Sequence, residues 1–276
     1  MNTQNKNLKR NKLFASILFL SVLLFLFSSA TFAQELKVMT YNIFHGEQNY
    51  SHGESNLQKV ADVINKYKPD FVALQEVDSM TNRTATFNGG IKKDLMKELA
   101  SLTGMYGFFG KAINYSDGGY GEGILSRFPT EHSVFSLPIP KGGEGRTLLM
   151  INHTFPNGQK IIFAGTHLCH EYSENRFAQS KAICDYFSNN TLPVIMGGDF
   201  NIRPNSEPYL QIKNCFNDAA EMLGDPENTS SFENPRSRID YIFVSKGHNW
   251  VIKDVKIIKA NASDHMPVLV TLKLEK

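Results

Sequence analysis

Short apolar runs that end on polar residues recur along this chain. Runs at 37–40, 71–74, 123–125, 161–164 and 192–196 lead to Asn42, Gln75-Glu76, Ser126-Arg127, Thr166-His167 and Asp199. Three more follow at 241–244, 251–258 and 267–274. Short segments rich in Val, Ile and Phe between turn-forming residues predict strands. Other stretches carry helical spacing. Leu57, Val60, Ala61 and Ile64 fall on one face, and Lys66 and Lys68 close that helix before Pro69. Further helices are expected over 94–101, with Leu95, Met96 and Leu99 inward, over 174–187 and over 206–213. The alternation predicts an α/β (α+β) fold in which two sheets are flanked by helices.

The apolar run at 13–27 is of another kind. Lys6, Lys9, Arg10 and Lys12 precede it, and the small residues Thr31 and Ala33 follow. This pattern predicts a secretory signal peptide over 1–33, cleaved after Ala33, and an exported protein, periplasmic or secreted, with a single catalytic domain over 34–276. An uncleaved membrane anchor is the alternative, but the run is short of the ~20 residues of a bilayer span. The segment also changes the charge. The whole chain has 29 basic and 27 acidic residues. Residues 1–33 hold four of the basic ones and no acidic one, leaving 25 against 27, a formal charge of −2. The strongly basic balance that would point to a polyanionic partner is absent. Cys169, Cys184 and Cys215 allow at most one disulfide and one free thiol, and their spacing does not resemble a zinc site.

Set side by side, the strand ends gather Asn42, Glu76, His167, Asp199, Asn201 and Asp264-His265, with Asp240 opening another run. Functional groups in mixed sheets collect where strands end. Each residue alone has a plainer reading: a turn cap for Asn42, a surface carboxylate for Glu76, a core histidine for His167. Likewise Asp240 could pair with Arg238, and Asp264-His265 could be a turn before Pro267. Convergence changes that, because two carboxylates about 4 Å apart repel by roughly 4 kcal/mol at an effective dielectric near 20. A cation relieves the repulsion, and an oxygen-only donor set suits Mg2+, or Mn2+ or Ca2+, better than zinc. A histidine backed by a carboxylate moves the proton that water must lose or a leaving oxygen must gain, and Asp240 with His265 is the expected pair. Asn201 is expected to donate to a phosphoryl oxygen or fix the water. Gly197 and Gly198 are expected to let the backbone approach the reacting group closely.

The segments MTYNIFHG (39–46), ALQEVD (73–78), GILSRFP (123–129), GTHL (165–168), GGDFN (197–201), SRIDYIFVS (237–245) and SDHMPV (263–268) together resemble the endonuclease/exonuclease/phosphatase superfamily. That group includes pancreatic deoxyribonuclease, abasic-site endonucleases, neutral sphingomyelinases and inositol-phosphate phosphatases. The resemblance implies a four-layer αββα sandwich and metal-dependent phosphoester hydrolysis. By matched position it implies that Asn42 and Glu76 hold the metal, with Asp264 near or on it. Asp199 and Asn201 would orient or activate the water, and His265, paired with Asp240, and His167 would be the acid/base or phosphate-binding histidines. The general base stays open between Asp199 and His265. Tyr120-Gly121-Glu122 resembles the Tyr-X-Glu of the pancreatic enzyme, whose Glu backs the histidine matching His167. Phe44 stands where the abasic-site enzymes carry Asp, which argues against a repair role.

The expected function is therefore hydrolysis of a small or lipid-derived phosphoester by a monomer with no protein partner. The alternative is a secreted nuclease, using a groove of Lys92, Lys93, Lys111, Arg127, Lys141 and Arg146. A non-catalytic binding module is the reading from another class, and the presence of Glu76, Asp199, Asn201 and His265 opposes it. The segments 48–56, 79–90, 114–119 and 140–146 are expected to rim the site as loops, with Phe87, Tyr115 and Tyr120 either stacking on a ring or, by preference, covering the sheet edge.

Overall fold

The computed structural model describes residues 35–224 and 226–275. The expected signal peptide over 1–33 lies outside the described residues. In chain order the elements are β1 (Glu35–Asn42), α1 (Leu57–Tyr67), β2 (Phe71–Ser79), α2 (Asn82–Thr86), α3 (Leu95–Thr103), β3 (Tyr106–Tyr115) and β4 (Gly118–Ser126). Then come β5 (Glu131–Leu137), β6 (Arg146–Thr154), β7 (Lys160–His167), α4 (Ser173–Phe187), β8 (Val194–Asp199) and α5 (Glu207–Ile212). The chain closes with β9 (Phe216–Asp218), α6 (Ala219–Leu223), β10 (Asp240–Ser245), β11 (Asn249–Ile257) and β12 (Val268–Glu275).

The strands form two six-stranded sheets, ordered β11-β12-β1-β2-β4-β3 and β5-β6-β7-β8-β10-β9. Each has a parallel pair at its centre, β1 with β2 and β7 with β8, joined by a helical crossover through α1 or α4. All other pairings are antiparallel. Alternation along the strands builds the layers. Val38, Phe71, Ala73, Phe163 and Ile195 pack between the sheets. Their neighbours Met39, Val72 and Leu74 pack against Val60, Ile64, Leu95 and Leu99 of α1 and α3. Ile162, Ala164 and Met196 pack against Ile183, Phe187 and Tyr209 of α4 and α5. Central strands buried on both faces read as continuous apolar runs, which is why the sequence pattern finds them. The result is the expected αββα sandwich.

Four strands and two helices escape the sequence pattern. Edge strand β5 is largely exposed, glycines interrupt β3, and β9, α2 and α6 are too short for periodicity to register. β6 is a buried run framed by Arg146-Thr147 and Asn152-His153, and it supplies no side chain to the polar strand ends gathered above. The segment 114–119 is a tight hairpin rather than a loop, with Ser116 and Asp117 both at positive φ. Of the three aromatics expected to cover the sheet edge, Phe87 and Tyr120 are buried, and Tyr115 carries the Arg83 guanidinium 4.5 Å from its ring centroid.

Gly197 and Gly198 serve packing, not access to a reacting group. A Cβ on Gly197 would lie 3.0 Å from Thr40 Cβ and 3.2 Å from Ala73 Cβ, both on the opposite sheet. Gly165 meets Ala73 Cβ in the same way at 3.1 Å. A Cβ on Gly198 would strike the Thr166 carbonyl at 2.4 Å. The glycines thus let the two sheets close on each other just behind Asp199.

Cys184 of α4 and Cys215, just beyond α5, form a disulfide with a sequence separation of 31, and Cys169 is free and buried. Closing such a loop restricts the unfolded chain, so Cys215→Ser should lower stability by about 3–4 kcal/mol. The check is a denaturant midpoint compared with the oxidised parent; an unchanged midpoint refutes the expectation.

Candidate active site

Strand register brings the polar ends together. In one sheet, His167 of β7 stands beside Asp199 of β8, and Asp199 stands opposite Asp240 of β10. Three neighbouring strands therefore present one functional side chain each at the same level. In the other sheet, Asn42 of β1 stands beside Gln75 of β2. Pairing of β2 with β4 then breaks between Leu74 and Val77, and Glu76 occupies that bulge at φ 59°. A bulge re-aims a side chain. Phe44, His45 and Asn201 also have positive φ. Such a conformation costs a non-glycine residue roughly 1–2 kcal/mol, and local strain of this kind gathers at functional sites.

Asn42 links the two halves. Its Nδ2 donates to Glu76 Oε1 at 2.9 Å and to Asp199 Oδ2 at 3.1 Å, and its Oδ1 accepts from the Phe44 amide at 3.1 Å. Asp199 also accepts the Asn201 amide on Oδ1 at 3.0 Å. Its Oδ2 lies 3.5 Å from His167 Nε2 and 3.7 Å from His265 Nε2. His265 Nδ1 lies 2.9 and 3.0 Å from the two Asp240 oxygens, so it donates to that carboxylate. Thr229 Oγ1 donates to Asp240 Oδ2 at 2.6 Å and fixes it from behind. Asn201 Nδ2 donates to His167 Nε2 at 3.0 Å and to the Leu168 carbonyl at 3.1 Å.

Charge states follow from this packing. Burial, with Asp240 adding to it, pushes Asp199 up to about 7 against the pull of His265. Burial alone would discharge His265, but Asp240 and Asp199 outweigh it and hold its pKa well above the usual histidine value. His167 goes the other way: burial and the nearby Arg146 cation push it well below. Burial also opposes ionisation of Glu76, yet His45, His167, Asn42 and His265 bring it down to about 2. Nitrogen shifts of the two rings test this in the metal-free protein. At neutral pH His265 should keep its second proton and His167 should be neutral, whereas two rings titrating together near the ordinary 6.5 would contradict it.

Two expected placements need correction or completion. Glu122 does not bond His167. Both are buried, but Glu122 Oε2 and His167 Nδ1 are each without a hydrogen-bond partner. Burial, with Glu144, Glu76 and Asp199 adding to it against the pull of Arg146, raises Glu122 well above its ordinary value and favours the neutral form. Asp264 accepts from Ser263 Oγ at 3.1 Å and has no hydrogen bond to Asn42 or Glu76, although repulsion from Glu76 contributes to its raised pKa after burial. Sequence reasoning missed Thr229, which sits in a polar loop with no pattern to mark it. It also took Arg146 for a groove residue, whereas Arg146 is buried, with Nη2 3.1 Å from His170 Nδ1.

The sequence profile of the endonuclease/exonuclease/phosphatase family matches residues 39–265. The chain belongs to that family. Its members are metal-dependent hydrolases of phosphoester bonds. Solved family structures share the fold. An endonuclease/exonuclease/phosphatase from Beutenbergia cavernae has 22% identity and a TM-score of 0.67, over 87% of this chain and 72% of that one. A mannosyl-6-phosphatase from Bacteroides thetaiotaomicron has 19% identity and a TM-score of 0.65, over 86% and 99%. The human Nocturnin catalytic domain with a bound sulfate has 21% identity and a TM-score of 0.67, over 87% and 94%. None of the curated proteins matches the chain by sequence.

The donor set suits the family's metal. Glu76 offers an ionised, partly exposed carboxylate beside Asn42, with Asp264 close enough for mutual repulsion and no thiolate nearby. Asp199, Asp240 and His265 also have ligand atoms within 4.8 Å of one another. Within that cluster Asp240 is already held by His265 and Thr229, and Asp199 by Asn42 and the Asn201 main-chain amide.

Proposed function

We propose that this chain is an exported hydrolase that uses a divalent cation, Mg2+ by preference, to cleave a phosphoester of a small or lipid-derived substrate by attack of water. The observation that carries the reading is Asp199, buried, pushed up to about 7, and flanked by His167, Asn201 and the Asp240-backed His265. Glu76, with Asn42 and Asp264, would hold the cation. Once bound, the cation would polarise a phosphoryl oxygen and offset its charge.

The protein's own groups divide the remaining work. Asn42 and the Asn201 amide fix both Asp199 oxygens, so that carboxylate is aimed and poised to take the proton from water. Asp240 and Asp199 favour the cationic form of His265, which makes Asp199 the first base in this reading. The His265 Nε2–H faces the Asp199 side and is suited to stabilising a phosphoryl oxygen or protonating the leaving one. Neutral His167 and the Leu168 carbonyl take both N–H groups of the Asn201 side chain and hold it in place beside Asp199.

Four of the six cations suggested as a nuclease groove are committed elsewhere. Lys92, Lys93, Lys141 and Arg146 pair with Asp117, Glu98, Glu174 and Glu144. That favours a small substrate over a polyanion. Export is supported by the sequence pattern of residues 1–33 and by the Cys184–Cys215 bond, since such bonds persist in oxidising compartments.

The test is hydrolysis of bis-p-nitrophenyl phosphate, sphingomyelin, inositol phosphates, DNA and RNA, with Mg2+ or EDTA, at low and high salt. Chelation should abolish turnover, and Mg2+ should restore it. Cleavage of nucleic acid alone, falling steeply with salt, would instead establish the nuclease. Turnover that persists in EDTA would remove the metal from the proposal.

A further inference from the structure

The loop leaving Asp199 and the loop entering Asp240 diverge beside the site, and an open pocket of about 350 Å3 lies between them. Arg203, Pro204 and Asn205 line it from the first loop, Arg236 and Arg238 from the second, and Tyr209 of α5 completes it. Its place is fixed relative to the catalytic residues. Arg203 follows Asn201 by two positions, and Arg238 precedes Asp240 by two. The second loop is also tied to the His265 segment by main chain: Ser230 bridges His265, Phe232 N–H donates to the Asp264 carbonyl, and Met266 N–H to the Thr229 carbonyl.

The three arginines are not equivalent. Arg238 is buried, ion-paired with Asp218, and lies over the Tyr241 ring at 4.6 Å, so its charge is already matched. Arg203 is exposed, and its side chain has neither an ion pair nor a hydrogen bond among the described residues. Arg236 is exposed and reaches only the side-chain amide of Asn234, with no carboxylate partner among the described residues. Glu221 also lines the pocket but is engaged by Lys213. Two unmatched guanidinium groups thus face one concavity beside a phosphoester site. A guanidinium presents a planar fork of donors that fits phosphate oxygens in pairs.

We infer that this pocket receives a second phosphate of the substrate, which makes the substrate a small molecule bearing two or more phosphate groups. The inference rests on the hydrolase reading and narrows its substrate class. Arg203 and Arg236 hold the remote phosphate while the reacting one lies at Asp199 and His265.

The experiment pairs an inositol bisphosphate, a nucleoside bisphosphate and a hexose bisphosphate with their monophosphates. Each is tested for hydrolysis with Mg2+ and for calorimetric binding to Asp199→Ala protein. At least one bisphosphate should bind about tenfold or more tighter than its monophosphate. Adding Arg203→Ala and Arg236→Ala should erase most of that preference, and adding Arg203→Lys should erase part of it. No preference in any pair, or a preference that survives the double substitution, overturns the inference. So does a loss confined to an oligonucleotide control, which would assign the arginines to a nucleic-acid backbone. Bis-p-nitrophenyl phosphate separates the two failures: if the wild type does not hydrolyse it or any other ester, the hydrolase reading fails, while the binding comparison still decides the subsite.

Discussion

Asp199→Ala is expected to lower kcat by about a thousandfold or more, since general-base catalysis and aimed electrostatics each contribute on that order. The side chain sits where the His167, Asp199 and Asp240 strands align, with both oxygens fixed by Asn42 and the Asn201 amide. The protein should stay folded. Asp199 is 2% exposed, and burial already disfavours its charge, so its removal relieves an electrostatic cost as it deletes a few contacts. Single-turnover rates with saturating Mg2+, beside a melting curve, provide the measurement. A variant within about tenfold of wild type would take the base role away from Asp199.

His265→Ala should cost a similar factor, and its partner reveals how. Asp240 holds His265 Nδ1 and keeps the ring charged. Asp240→Asn should therefore lower kcat by about a hundredfold, and the double variant should be no worse than His265→Ala alone. Groups that act as a unit fail to add, whereas independent groups multiply. A fully multiplicative double variant would mean that Asp240 works separately from His265, and the pairing would have no part in catalysis.

The parts legible in the sequence share a physical basis. Val38, Phe71, Ile195 and their neighbours are buried on both faces of central strands, so they stand out as apolar runs, and the polar residue ending each run marks the site. The helix over Leu57, Val60, Ala61 and Ile64 announces itself by spacing and by Pro69. What escaped depends on contacts far apart in the chain. Thr229 matters only because the fold sets it against Asp240. The role of Gly197 depends on Thr40 and Ala73, and nothing near Gly197 in the chain foretells it. Glu122 matched a family pattern by position, yet its carboxyl makes no hydrogen bond to His167, and burial favours its neutral form.

The close approach of the sheets at Gly165 and Gly197 has a consequence for how this protein can change over generations. One half of the reacting constellation, Asn42 and Glu76, belongs to one sheet, and the other half, Asp199, His167 and Asp240, to its mate. The space between those halves is set by two hydrogen atoms where other residues would carry carbon. A methyl group gained there would be invisible from solvent, yet Thr40 and Ala73 would have to give way by a few tenths of an ångström just behind Asp199. The spacing of the reacting groups is thus written partly in the interior, at positions that carry no functional group.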